Sequence, residues 1–332
     1  MKKFALAAAL AAAVGFTGVA SVANAADLTL RISLQLPLKS HLGQNLLMFK
    51  NEVEAKSNGD IAVEIYDSAQ LYKDKEVPAA VGSGSIEMGV ASLTRYVGDV
   101  PAVDVFYQPF LLDSEAKVRK AVAVGSPVRG PLDAAIAETG ATVLWWQAYG
   151  GSIMLSNGGP IKGPDGLTGK KVRVFSKTQG DFISAAGGAP TLISGSEQYI
   201  AYQRGTVDVG MTGMSGVKSR KLWEVMDTVT TTNDADIEFI VVVNTKFWND
   251  LSEDQRSIIS AAAVNAENDV RDRMSTIEAA AFEEAKANGM TIYAPTDDEM
   301  AAWREAAKPV HEAFLEHTGD LGKQVFEAAK NF

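Results

Sequence analysis

One arginine in the middle of the chain has the chemistry and the setting to bind a carboxylate. Arg173 lies between Val172 and Val174, in a short apolar run that predicts a strand of a parallel sheet. Ligands of open α/β sheets bind beyond the carboxyl ends of the strands, and Arg173 is close to such an end. Its planar guanidinium can hold a carboxylate through two parallel hydrogen bonds, which a lysine cannot do. Taken alone, the pattern favours a simpler interpretation, a surface arginine on an edge strand or one paired with a nearby aspartate.

The same region contains one copy of an internal repeat. Residues 205–213 have the sequence G-T-V-D-V-G-M-T-G, and residues 84–92 have the sequence G-S-I-E-M-G-V-A-S. Both copies place glycine, a small hydroxyl residue, a β-branched residue, an acid, an apolar residue and glycine in the same order, after a helical segment. The repeat predicts a duplicated α/β unit, and therefore two similar lobes that face each other across a ligand-binding crevice.

The elements that would position this crevice follow from the hydrophobic pattern. Residues 28–34 alternate between apolar and polar and predict a strand, and Ser40 can cap the helix that follows. Residues 61–65 predict the next strand, which completes a β-α-β unit of the usual right-handed form. Residues 141–149 form an apolar strand with two tryptophans that belong to the core or to the crevice wall. Gly150-Gly151 should interrupt that strand where the chain crosses between lobes.

The last third of the chain is predicted to be mostly helical. Residues 237–243 form a buried strand that returns to the first lobe. Ser252 and Gln255 form a capping pair that starts a helical pattern reaching about Asn288. A helix of that length spans about 55 Å, which exceeds one lobe, so it should brace both. A further helical region is expected to break near Pro309.

These boundaries predict a leader and two discontinuous lobes, both of the α/β class. The leader is residues 1–25, lobe I is 26–149 plus 237–276, and lobe II is 150–236 plus 277–332. Lys2 and Lys3, an alanine-rich apolar run and the small residues Ala23-Asn24-Ala25 predict a secretory signal peptide cut before Ala26. A retained membrane anchor is the alternative. The signal peptide predicts a periplasmic protein.

Composition narrows the classes of function. The chain has 332 residues, of which 46% are hydrophobic and 22% charged, enough for about two domains with a sizeable core. The formal net charge is −10, and loss of the two leader lysines makes it −12, which argues against a nucleic-acid partner. The absence of cysteine excludes thiol catalysis and cysteine-ligated metals.

Several segments together resemble one family over essentially the whole mature chain. They are G-L-T-G-K-K-V-R-V at 166–174, A-P-T at 189–191, S-E-Q-Y-I-A-Y-Q-R-G-T-V-D at 196–208, S-A-Q-L at 68–71 and G-S-I-E-M-G-V at 84–90. With the long bracing helix, they resemble the extracytoplasmic solute-binding proteins of the tripartite ATP-independent periplasmic (TRAP) transporters.

The resemblance implies a clamshell of two α/β lobes that closes on a small organic acid and delivers it to membrane subunits driven by an ion gradient. In this family the arginine of the V-R-V motif forms a salt bridge with the ligand carboxylate, a role that falls on Arg173 and reverses the simpler interpretation. The other cleft positions implied by the family are Gln35, Ser92, Arg95, Gln147, Ser176, Gly195 and Thr212.

The chain also departs from the family pattern in the predicted cleft. Residues 150–154 lack the arginine that many members have there, V-G-M-T at 209–212 replaces an amide-containing motif, and Gly195 stands where an aromatic residue is common. These departures predict a less polar and roomier pocket, suited to a monocarboxylate with an apolar or aromatic body or to a keto acid.

Other functions remain as alternatives. The chain could be the binding protein of an ATP-driven transporter or of a sensor, or a periplasmic enzyme, although it has no recognisable nucleophile and base pair. His41, at a helix start, could contact the ligand or simply occupy an N-terminal position. Asp234 and Asp236 could hold a cation, but a charged turn is the favoured interpretation. We predict no metal, no cofactor and a monomer.

Overall fold

The computed structural model describes residues 26–332, so the predicted signal peptide lies outside the described residues. The strands are Leu28–Ser33 (β1), Ile61–Tyr66 (β2), Met88–Ser92 (β3), Ala141–Ser156 (β4), Lys171–Val174 (β5), Ala189–Leu192 (β6), Val209–Gly213 (β7), Thr228–Thr230 (β8), Asp236–Asn244 (β9) and Thr291–Tyr293 (β10). The helices are His41–Lys56 (α1), Val77–Gly82 (α2), Glu115–Val122 (α3), Arg129–Ala137 (α4), Lys177–Ala185 (α5), Gln198–Gln203 (α6), Met214–Arg220 (α7), Thr245–Asp250 (α8), Glu253–Ala287 (α9), Asp297–His317 (α10) and Gly319–Lys330 (α11).

The predicted duplication is visible in the topology. The first unit runs β1-α1-β2-α2-β3, and its parallel strands lie in the order β2-β1-β3. The second unit runs β5-α5-β6-α6-β7, and its parallel strands lie in the matching order β6-β5-β7. The two copies of the glycine-rich repeat form the turn and strand at α2-β3 and at α6-β7. The protein therefore has the predicted two-lobed α/β architecture.

Two long strands join the lobes. β9 lies between β3 and β4 and is antiparallel to both, and β4 continues beyond it to pair with β7 and β8. The predicted interruption at Gly150-Gly151 is wrong, because β4 runs through it with a register shift between Ala148 and Gly150. Gly150 has a φ of +98°, and a Cβ there would collide with the carboxylate of Glu278. A glycine is thus required for the bend, but not for a break.

Helix α9 is the predicted brace. Ser252 Oγ accepts a hydrogen bond from the backbone N–H of Gln255 at 3.1 Å, and Gln255 Oε1 accepts one from the backbone N–H of Ser252 at 2.9 Å. The helix then runs for 35 residues and packs against α1 and β4 of the first lobe and against α7 of the second. Both the predicted start and the contact with both lobes are confirmed.

One helical prediction is wrong. Helix α10 continues through Pro309, which lies on the exposed side, where water can hydrogen-bond the carbonyl that loses its N–H partner. Helix α6 begins at Gln198, and Glu197, just before it, accepts a hydrogen bond at Oε1 from Lys73 Nζ across the lobes at 2.9 Å.

The core extends through both sheets and includes the two predicted core tryptophans. Trp145 and Trp146 are fully buried, and their indole N–H groups donate to Asn45 Oδ1 at 3.1 Å and Asp133 Oδ1 at 2.8 Å. Within residues 26–332, every helix is too short or too polar to cross a bilayer.

Candidate functional site

A small cavity lies between the lobes, at the carboxyl ends of the parallel strands of both units. Topology alone places a ligand crevice at this edge of each sheet. The lining residues are Gln35, Asp74, Ser92, Arg95, Tyr149, Arg173, Phe175, Gly195, Gln198, Thr212, Arg220, Ile237 and Phe239. Three arginines and one carboxylate therefore share a small space.

Arg173 is held at the cavity by backbone groups rather than by an acid. Its side chain comes from β5 and is almost fully buried, with Nε donating to the carbonyl of Ile193 at 3.0 Å and Nη1 donating to the carbonyl of Met211. The guanidinium carbon lies 5.4 Å from the ring centroid of Phe175. Among residues 26–332 it forms no ion pair, and burial lowers its pKa below the ordinary value. A buried cation without a counter-ion is costly, so this position is suited to an anionic ligand.

The simpler interpretation of Arg173 is therefore wrong on both counts. The residue is not on the surface, and no aspartate of the described chain pairs with it. β5 is also not an edge strand, because β6 and β7 flank it.

Arg95 has the opposite electrostatic setting. Its Nε donates to Asp74 Oδ2, and the carboxylate of Asp74 is completely buried. Burial lowers the pKa of Arg95, but the charge of Asp74 more than offsets that effect, so the pKa is raised overall. Asp74 Oδ1 also accepts a hydrogen bond from the backbone N–H of Ser92 at 2.9 Å. The positive charge of Arg95 is thus balanced within the protein.

Arg220 was not predicted from the sequence. It ends helix α7, lines the cavity, and donates from Nη1 to the hydroxyl oxygen of Tyr149 at 3.1 Å. Residues 217–221 have the sequence V-K-S-R-K, which is typical of the basic last turn of a solvated helix. Only the packing of α7 against β4 and α9 brings this arginine inward.

Four other predicted positions reach the cavity: Gln35, Ser92, Gly195 and Thr212. Gln35 follows β1, is almost fully buried, and its Oε1 has no hydrogen-bond partner among residues 26–332. A buried amide oxygen with no partner is uncommon, and a ligand donor could satisfy it.

Two predicted ligand contacts lie elsewhere. Gln147 Nε2 donates to Asn45 Oδ1 at 2.6 Å, so its side chain lies between β4 and α1 rather than in the cavity. Ser176 Oγ accepts from the backbone N–H of Gln179 at 2.9 Å and caps α5. In the first case Gln147 shares a face of β4 with Trp145, which also donates to Asn45. In the second case Ser176 has the usual role of an N-cap serine, whose hydroxyl accepts a hydrogen bond from a free backbone N–H of the first helical turn.

His41 also lies outside the cavity. Its ring Nε2 is 3.0 Å from the carbonyl oxygen of Ala148, and the ring borders a separate groove between α1, α7 and α9. Burial is the main cause that lowers the pKa of His41 to about 4, and the charges of Arg220 and Arg273 contribute. Of the two sequence interpretations, the structure favours the simple N-terminal position over ligand contact.

The low pKa of His41 predicts a loss of stability in acid. The unfolded chain binds a proton at about pH 6.5, whereas the folded chain binds it only near pH 4. Protonation of His41 should therefore lower the free energy of unfolding by about 2 kcal/mol as the pH falls through this window. Chemical denaturation of the wild type and of His41→Gln at pH 7 and pH 4.5 measures this loss of stability. The variant should lose less stability than the wild type, and equal losses would contradict the assignment.

The aspartates considered for a cation form no such site. Asp234 is buried and accepts a hydrogen bond from Thr232 Oγ1 at 2.7 Å, and burial raises its pKa to about 6. Within the described part of the chain, His, Asp and Glu side chains form no group of three that could hold a metal ion.

Comparison with known proteins gives the family. The model of the bacterial extracellular solute-binding proteins, family 7 (DctP), matches residues 32–318. The chain belongs to this family. A C4-dicarboxylate-binding periplasmic protein DctP of Rhodobacter capsulatus is 32% identical over 284 residues, covering 83% of each chain. The sialic acid-binding periplasmic protein SiaP of Vibrio cholerae is 24% identical, and the match covers 90% of this chain and 92% of SiaP.

Solved structures of family relatives have the same fold. A TRAP periplasmic solute-binding protein of Sulfurospirillum deleyianum, with bound succinate, superimposes with a TM-score of 0.84 at 25% identity, covering 90% of this chain and 98% of that one. The extracytoplasmic solute receptor DctP7 of Bordetella pertussis, which binds pyroglutamic acid, has a TM-score of 0.86 at 18% identity, covering 91% and 99%. The second likeness concerns the fold alone.

Proposed function

We propose that this protein captures a small organic acid between its lobes and delivers it to the membrane subunits of a TRAP transporter. The observation that carries the proposal is Arg173, a buried guanidinium that borders the interlobe cavity and is fixed by two backbone carbonyls. It has no counter-ion among residues 26–332. In such a setting a ligand carboxylate replaces the lost hydration of the charge through two directed hydrogen bonds.

The relatives support this ligand class. The Rhodobacter capsulatus protein is a C4-dicarboxylate-binding protein, and the Sulfurospirillum deleyianum structure contains succinate. Both ligands carry the group that the geometry around Arg173 requires. Because the family consists of extracellular solute-binding proteins, we infer a periplasmic location, reached through the leader at residues 1–25, and a binding rather than a catalytic role.

The cavity walls favour delivery by opening and closing. A ligand that contacts both lobes binds the closed state more tightly and shifts the equilibrium toward it. The cavity has walls from both, with Gln35 and Ser92 from the first lobe and Arg173 and Thr212 from the second. We infer one ligand per chain, a monomer as the working unit, and an open form when the ligand is absent. A sensor or an ATP-driven transporter would need the same closure, and only its membrane partners would differ.

A thermal-shift screen of the mature protein tests the ligand class. Small carboxylic acids should raise the melting temperature, whereas neutral sugars and amides of similar size should not. A ligand at 100 times its dissociation constant adds about 2.7 kcal/mol, which corresponds to several degrees. Stabilisation by uncharged compounds alone would contradict the proposal, as would turnover of a bound acid.

A further inference from the structure

A tyrosine of helix α6 lies beside the anchoring arginine. Tyr202 is almost fully buried, and its hydroxyl lies over Gly210, the residue of β7 that is paired with Arg173 of β5. We propose that Tyr202 is a positioning residue, whose hydroxyl oxygen accepts a hydrogen bond from the guanidinium of Arg173 and holds it in the direction that a ligand carboxylate needs. This inference rests on the proposed function and adds a residue to the same site.

The duplicated units can be compared residue by residue, because one contact is the same in both. The acid of each glycine-rich copy accepts a hydrogen bond from a backbone N–H of the neighbouring strand. Glu87 accepts from the N–H of Arg31 at 3.1 Å, and Asp208 accepts from the N–H of Lys171 at 2.8 Å. Each residue of the first unit therefore has a defined equivalent in the second.

The equivalent residues around Arg173 differ in polarity at three positions. In the first unit Gly89 is paired with Ser33, as Gly210 is paired with Arg173 in the second. The first unit has a small or apolar residue at each position, and the second has a larger polar one: Ser33 and Arg173, Val77 and Gln198, Val81 and Tyr202. Three such differences around one guanidinium indicate that the polar residues act together.

Gly210 leaves the space that the phenol of Tyr202 occupies. A Cβ on Gly210 would collide with the hydroxyl oxygen of Tyr202, whereas a Cβ on Gly89 of the first unit would collide with the methyl groups of Val77. Paired residues of neighbouring strands point to the same face of a sheet, so the side chain of Arg173 leaves the sheet on the side where this hydroxyl lies. The packing of α6 thus places the hydroxyl beside the arginine.

The hydroxyl of Tyr202 has the free capacity that this role requires. Its hydrogen is donated to Oε1 of Gln198 at 3.3 Å, so the oxygen lone pairs remain able to accept. Arg173 uses Nε and Nη1 for the carbonyls of Ile193 and Met211, which leaves N–H groups to donate. Burial is the main cause that raises the pKa of Tyr202, and the charge of Arg173 and a hydrogen bond from it act in the opposite direction.

A neutral acceptor suits this position better than an acid. The raised pKa of Tyr202 keeps the phenol uncharged at neutral pH. Asp74 shows the alternative, because its carboxylate neutralises Arg95 within the protein. The hydroxyl of Tyr202 instead fixes the orientation of the Arg173 guanidinium and leaves its charge for the ligand. Orientation matters because a two-pronged contact with a carboxylate needs the guanidinium plane in one direction.

Titration calorimetry tests the inference, with succinate as the probe or, if succinate does not bind, the acid of largest thermal shift in the screen. Tyr202→Phe keeps the ring and removes only the hydroxyl, and it should weaken binding about 10-fold. In the Arg173→Lys background the same change should alter the affinity by less than about 2-fold, because lysine has no planar fork to orient. Tyr199→Phe is the matched control. It removes a hydroxyl from the same helix, one that donates to Glu224 at 2.8 Å, and it should bind as the wild type does.

The outcomes separate this inference from the proposed function. Equal losses of affinity in the two backgrounds would show an effect of packing alone and would overturn the positioning role. Unchanged affinity of Tyr202→Phe in the otherwise wild-type protein would overturn it as well. If Arg173→Gln weakens binding and Tyr202→Phe does not, the proposed function stands without this inference. If the wild type binds no carboxylate in the screen, both fail.

Discussion

Replacing Arg173 by glutamine should weaken carboxylate binding by about 2–5 kcal/mol, or roughly 30-fold to several thousand-fold. The variant removes the charge that faces the cavity, and the two backbone carbonyls that hold the guanidinium lose their cationic donor. The ligand carboxylate would then lose the charged donor that holds it in the cavity. Titration calorimetry with the best acid from the screen measures the change.

Arg31 provides a matched control for this experiment. It lies on β1, the strand of the first unit that corresponds to β5, but it pairs with Glu87 at 2.7 Å and is not among the residues that line the cavity. Arg31→Gln should bind the acid as the wild type does. Arg173→Lys should give an intermediate affinity, since it keeps the charge but cannot make the two-pronged contact. Unchanged affinity in Arg173→Gln would refute the anchoring role.

Replacing Glu238 by leucine should lower the free energy of unfolding by about 3–5 kcal/mol. Glu238 is fully buried on β9, and both of its carboxylate oxygens accept hydrogen bonds from Arg271 of α9. The pair ties the bracing helix to the strand that joins the lobes. Leucine leaves the buried guanidinium of Arg271 without the carboxylate that it hydrogen-bonds, which is the costly state. Denaturant titration by circular dichroism measures the loss.

A double variant distinguishes the ion pair from simple packing. Glu238→Leu combined with Arg271→Met removes both charges, and much of the lost stability should return. The exposed pair of Lys177 and Asp181 gives the surface comparison, and Asp181→Asn should change stability by less than about 1 kcal/mol. If Glu238→Leu costs no more than this surface variant, the buried pair does not stabilise the brace.

The sequence predicts features that depend on local chemistry. Ser252 and Gln255 cap α9 as neighbours on one helical turn, so their types and spacing are sufficient. The two glycine-rich copies predict matching units because each encodes its own turn and strand. Arg173 could be placed at a strand end from its flanking valines, and the strand pairing of β5 with β6 and β7 agrees.

Features that depend on distant partners could not be predicted in this way. Arg220 and Gly195 are 25 positions apart in sequence, and only the folded lobe shows that one occupies space left by the other. Asp74 neutralises Arg95 from a separate turn, so the net charge of the cavity could not be predicted from the sequence either. The helix through Pro309 depends on its exposed side, which the hydrophobic pattern alone did not reveal.

The position of β9 also affects the order in which the chain can fold during synthesis. β9 is a central strand of the first sheet, between β3 and β4, yet its residues follow β3 by more than 140 positions. At about 5–20 residues per second, the ribosome needs roughly seven to thirty seconds to supply it. The unit from β5 to β7 is contiguous and can assemble from local contacts in the meantime. The edge of β3 therefore stays unpaired until β9 is made, and β8 in turn waits for β10.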